Sequence, residues 1–89
     1  MTERDVVVTN RAGIHTRPAS MIVQKASQFD AEFIIQKDGY EINGKSIIGV
    51  MTLAAEQGAT LHLVFDGGDE EDAADALAQL FEDGFGEAK

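Results

Sequence analysis

Apolar and polar positions recur with two different periods along this chain, and the changes of period mark its elements. Val6, Val7, Val8 and Thr9 form a β-branched run that predicts a first strand, ended by the polar, glycine-containing segment Asn10 to Gly13. Pro18 fits the first turn of a helix, where its missing N–H is not needed. Pro18, Ile22, Ala26 and Phe29 then recur at helical spacing and give that helix one apolar face. Glu32 to Lys37 and Tyr40 to Ile42 flank Asp38-Gly39, a pair suited to a type I′ turn because both central residues take positive φ, which predicts a hairpin.

Ser46 stands where it caps a short helix running to Leu53 or Ala54, and Ile47, Ile48, Val50 and Met51 give that helix more apolar surface than one core face uses. Two of Ile47, Ile48 and Met51 are expected in the core and at least one at the surface, as a docking residue. Gly58 ends the segment. Leu61, Leu63 and Phe65 then alternate with Thr60, His62 and Val64 as in a half-buried strand, with His62 expected to point into solvent. Gly67-Gly68 breaks the chain before a last helix, which Asp69 is expected to cap. Ala73, Ala74, Leu77, Leu80 and Phe81 line its apolar stripe, and Gly84 closes it. The order β-α-β-β-α-β-α in so short a chain predicts an α+β fold of two layers, one sheet and one layer of three helices.

At 89 residues and 44% hydrophobic content, the chain is expected to be one domain, 1–89. With no cysteine, neither a disulfide framework nor a thiolate metal site holds the fold. Apolar runs too short to span a bilayer and an N-terminus without a secretory layout predict a cytoplasmic protein with no membrane insertion. The formal net charge of −9 makes nucleic acid and anionic lipid poor partners. Between Asp66 and Lys89 lie nine acidic residues against one lysine, whereas Val6 to Phe29 and Ile42 to Ala55 contain no acid. The first of these stretches carries Arg11, Arg17 and Lys25, the second only Lys45, so together they predict a docking face for acidic proteins or phosphate.

Chemistry concentrates in Gly13-Ile14-His15-Thr16-Arg17-Pro18, a loop running into the first helix. The positive end of the helix and the Arg17 guanidinium both disfavour a second positive charge on His15, which predicts a neutral, nucleophilic imidazole near neutral pH. A phosphoryl group on that ring would meet unpaired backbone N–H donors and a charge-assisted contact from Arg17.

The segment "GIHTRPAS" resembles the active-site signature of the HPr family, phosphocarriers of the phosphoenolpyruvate-dependent sugar phosphotransferase system. "NGKSIIGVMTLAA", from Asn43 to Ala55, is similar to the regulatory-serine segment of the same family. The resemblance covers the whole chain. It implies that His15 is phosphorylated on Nδ1 by enzyme I and donates to the A domains of sugar-specific enzymes II, with Arg17 as the stabilising cation. It also implies a regulatory phosphorylation site at Ser46, addressed by an HPr serine kinase/phosphorylase. Docking falls on Thr16, Pro18, Ile47, Ile48 and Met51, in a protein expected to act as a monomer without a cofactor or metal. The fold implied is an open-faced sandwich with an antiparallel sheet in the order 1-4-2-3 and helices on one face. Thr16 departs from the residue most common in the family, a small alanine; its hydroxyl is expected to bond the local backbone or the phosphate.

Each feature has a plainer rival. Ser before an apolar run is a helix cap in most proteins, and the acidic start of the last helix lacks the spaced ligands of a calcium loop. An acyl carrier protein, also small and acidic, needs an Asp-Ser-Leu motif on a helical bundle, and neither is present. A regulatory module acting through Ser46 alone leaves the His15 signature unused. An independent enzyme has little volume for a pocket and no second acid or base motif.

Overall fold

In a computed structural model of residues 1–89, the elements follow the expected order. They are β1 (Thr2–Val7), α1 (Thr16–Ala26), β2 (Glu32–Lys37), β3 (Tyr40–Asn43), α2 (Ile47–Thr52), β4 (Thr60–Asp66) and α3 (Glu70–Glu82), followed by a 3₁₀ turn at Gly84–Gly86. The strands form one antiparallel sheet in the order β1-β4-β2-β3. The helices cover one face of this sheet and leave the other open.

Asp38 and Gly39 take φ of 51° and 85°, so the β2–β3 hairpin turns as its sequence demands. In β4 the alternation is complete: Leu61, Leu63 and Phe65 are buried, and Phe65 faces Phe33 of β2 in register, their rings stacked 4.6 Å apart. Pro18, Ala19, Ile22 and Ala26 of α1 and Ala73, Ala74, Leu77 and Phe81 of α3 close the helical side of the core. Burying each large side chain of this set contributes about 1.5–3 kcal/mol.

Three local expectations fail, each for a tertiary reason. β1 begins at Thr2 rather than Val6, because pairing with β4 from Thr2↔Phe65 to Val7↔Thr60 recruits the charged residues Glu3, Arg4 and Asp5 into the ladder. Asp69 does not cap α3; its carboxylate accepts from the Asp30 N–H at 2.8 Å and the Ala31 N–H at 2.9 Å, tying the turn before β2 to the end of β4. Those bonds, that to Asp30 first, hold the Asp69 carboxyl below its ordinary range. Ile47, Ile48 and Met51 are all exposed, since a helix of six residues presents one narrow stripe to the core, and Val50 takes it, with Leu53 just beyond.

Candidate functional site

Where β1 leaves the sheet, Val8 still bonds Ala59 O, and the chain then turns through Asn10 to Ile14 before α1 starts. Gly13 sits in this turn at φ +72°, and a β-carbon there would lie 2.6 Å from Ala55 O, so no larger residue fits. The close approach lets Ile14 N–H bond Ala55 O at 2.9 Å and bury its side chain. His15, next in line, is left at the surface. It is the N-cap of α1 in an extended conformation, its C=O accepts from Ala19 N–H, and its side chain makes no capping bond. The backbone N–H groups of Thr16 and Arg17 have no intrahelical acceptor within reach, and Pro18, third in the helix, has none to satisfy.

The His15 ring is bonded at one nitrogen only: Nε2 lies 3.0 Å from each Glu87 carboxylate oxygen, and no hydrogen bond of the structure involves Nδ1. Arg17 Nη1 donates to Phe85 O at 2.9 Å and to Glu87 Oε2 at 3.0 Å, leaving Nε and Nη2 uncommitted. Asn10, fully buried, donates through Nδ2 to Gly13 O at 2.8 Å and to Glu87 Oε1 at 3.0 Å. Glu87 thus gathers three side chains from the first seventeen residues. Its carboxyl is held below the usual range, first by the His15 bond, then by those of Asn10 and Arg17, with burial acting in the opposite sense.

Glu87 and Asn10 escaped the sequence reading. Glu87 lies in an acidic tail 72 positions from His15, and the only sign of its placement is the glycine pair around Phe85. Gly84, Phe85 and Gly86 all have positive φ, from 58° to 73°, and turn the chain back after α3. Phe85 adopts this unfavourable conformation because its ring is buried edge-on against Phe81, 5.1 Å away. Arg11 N–H then holds Ala88 O at 2.7 Å, which fastens the returning strap beside His15.

Of the other residues singled out, Thr16 is exposed and its hydroxyl makes no hydrogen bond in the protein, so a bond to the local backbone is not formed. Pro18 is buried in the α1 face and is not available for docking, a correction that follows from its position on the core stripe. Ser46 caps α2, its hydroxyl accepting from Gly49 N–H at 3.2 Å. α2 packs against α1, and Ile48, 73% exposed, is the most open of its apolar residues. His62 is not simply solvated: Nδ1 is 2.6 Å from Asp5 and Nε2 is 2.7 Å from Glu3. No group of three or more histidine and carboxylate side chains is arranged to hold a metal ion, and no helix is long and apolar enough to cross a membrane.

Residues 2–83 match the family model described as the PTS HPr component phosphorylation site. Phosphocarrier protein HPr of Treponema pallidum (strain Nichols) is 47% identical over 98% of this chain and 99% of its own length. Among solved structures, HPr-C-His from Thermoanaerobacter tengcongensis superposes with a TM-score of 0.95 at 42% identity, covering all of both chains. An HPr dimer from the same organism superposes with a TM-score of 0.79 at 42% identity, over 98% of this chain and 100% of that one.

Proposed function

Because the chain belongs to the HPr family of phosphocarriers of the phosphotransferase system, we propose that it takes a phosphoryl group onto His15 Nδ1 from phosphorylated enzyme I. It then gives the group to the A domains of sugar-specific enzymes II. The observation that carries this reading is the exposed imidazole with an unengaged Nδ1 beside Arg17 and two unpaired backbone N–H groups. In the forward step the Nδ1 lone pair forms the bond to phosphorus as the bond from phosphorus to the donor nitrogen breaks, its electron pair staying with the donor. The proton on the other nitrogen need not move. The phosphoryl oxygens fall toward the Thr16 and Arg17 N–H groups and the uncommitted guanidinium donors, which supply positive charge without a metal. His15 is exposed, so each partner completes the transfer site, with the exposed Ile47, Ile48, Met51 and Thr16 as the docking residues of this reading.

Ser46 is the regulatory site of this reading. A phosphate there adds roughly −1.5 to −2 charges to a stretch whose only charge is Lys45, and an HPr serine kinase/phosphorylase is the partner that would place it. In this reading the carrier acts as a monomer in the cytoplasm, where phosphoenolpyruvate supplies the chain of transfers. Incubation with enzyme I and labelled phosphoenolpyruvate tests the reading. One label per chain, lost in acid and stable in base, is expected for a phosphohistidine; an unlabelled chain refutes the carrier role.

A further inference from the structure

The C-terminal strap brings a single carboxylate onto the ring nitrogen that the phosphocarrier reading leaves idle, and this inference rests on that reading. We propose that Glu87 is the positioning residue of the phosphoryl-transfer site: it accepts the Nε2 proton of His15, so that Nδ1 carries the nucleophilic lone pair and the ring's developing charge is compensated.

The geometry carries the assignment. A carboxylate ionised at neutral pH only accepts hydrogen bonds, so with Oε1 and Oε2 both 3.0 Å from Nε2 the proton between them belongs to the ring. A neutral imidazole has one N–H; if it is at Nε2, Nδ1 is bare. Three fixed contacts hold Glu87 against the ring. Asn10 Nδ2, buried and anchored on Gly13 O, grips Oε1, and Arg17 Nη1 grips Oε2. The Arg11–Ala88 backbone bond fastens the strap itself. When Nδ1 bonds phosphorus the ring becomes a cation that keeps its Nε2–H, and the same carboxylate then faces a full positive charge. Its bond therefore strengthens along the reaction, as does the Asp–His contact of a hydrolase triad. Had the carboxylate lain against Nδ1, it would have blocked the nucleophile instead.

The test compares Glu87→Asp, Glu87→Gln and Glu87→Ala with the parent, using ¹⁵N spectra of the unphosphorylated ring and uptake rates across enzyme I concentrations. In the parent, Nε2 is expected protonated with a slowly exchanging proton, and Nδ1 bare. Glu87→Ala is expected to lose that protection and to slow uptake at saturating enzyme I by about tenfold, the scale of one charge-assisted hydrogen bond strengthened in the transition state, with KM little changed. Glu87→Gln should fall between, and Glu87→Asp should recover part of the rate. Unchanged uptake in Glu87→Ala, or a parent ring protonated at Nδ1 with Nε2 bare, overturns the proposal. Faster uptake also overturns it, because Glu87 would then merely compete with phosphate for Arg17. If the parent itself takes no label, the carrier reading fails and this role with it; a labelled parent with an indifferent Glu87→Ala sinks Glu87 alone.

Discussion

The chain has two histidines, and both touch carboxylates, yet the contacts leave them with opposite capacities. His62, on the open face of the sheet, has an acidic oxygen at each ring nitrogen, Asp5 at Nδ1 and Glu3 at Nε2. Both contacts favour the doubly protonated ring, in which each nitrogen donates and no lone pair is left to offer. His15 has its carboxylate at Nε2 alone, with Arg17 and unpaired helix N–H groups nearby. Charge sharpens the contrast. An incoming phosphoryl group meets donors around His15, whereas around His62 it meets Glu3 and Asp5 on β1 and Glu41 beyond Gln36 on β3. Proximity to a carboxylate is thus not what makes a histidine reactive; leaving one nitrogen free among donors is.

Deleting each ring in turn should separate the two histidines by the largest margin. His15→Ala should abolish phosphate uptake from enzyme I completely while melting near the parent, because the side chain lies outside the core. His62→Ala should label like the parent. Residual labelling of His15→Ala with the same acid lability would mean that His62 accepts phosphate despite its two carboxylates. The next effect in size is Arg17→Ala, expected to slow transfer in both directions by about ten- to a hundredfold through loss of positioned positive charge. Rapid-quench rates with the two partners measure it; parent-like rates would show that the helix N–H groups and the partner suffice.

The donor set around His15 was partly legible from the sequence, the acceptor was not. His15, Arg17 and Pro18 are adjacent, so local rules place the imidazole at a helix start and leave its N–H groups open. The hairpin at Asp38-Gly39 and the buried row of β4 were legible for the same reason, since a two-residue turn and a period of two are local signals. The sheet order came from the family resemblance rather than from the pattern. Glu87, Asn10 and the two acids around His62 depend on contacts between distant segments, which no window along the chain contains. Asp69 shows the converse: its position fits a cap, but two backbone N–H groups from the turn before β2 compete for the same carboxylate and win.

Docking ranks below chemistry. Ile48→Glu, on the most exposed apolar residue of α2, should weaken affinity for enzyme I by about tenfold, the scale of a moderate interface hot spot, with melting close to the parent. Ser46→Asp should weaken it to a similar or smaller extent while keeping the acceptor for Gly49 N–H, whereas Ser46→Ala loses that cap at a cost of about 0.5–2 kcal/mol. Titration calorimetry with thermal melts separates the two. If Ser46→Asp takes phosphate as fast as the parent at sub-saturating enzyme I, Ser46 is a cap and not a switch.

The smallest expected effect belongs to His62, and it is read in stability rather than transfer. The bonds to Asp5 and then Glu3 raise its pKa above the ordinary histidine value of 6.5. A group whose folded-state pKa is raised binds its proton more tightly in the native state, so its stabilisation is complete below 6.5 and is lost as pH rises through the higher folded value. His62→Gln keeps a polar side chain but no titrating charge. The parent should therefore melt above the variant at pH 6, and the gap should close in mildly alkaline buffer. The side chain is 34% exposed and its partners more so, which screens the attraction, and exposed ion pairs contribute only about 0.2–1 kcal/mol. High salt should narrow the gap at pH 6 further. A gap that widens with rising pH would mean that the native state favours the neutral ring, and the contrast with His15 would then rest on surrounding charge rather than on the availability of a lone pair.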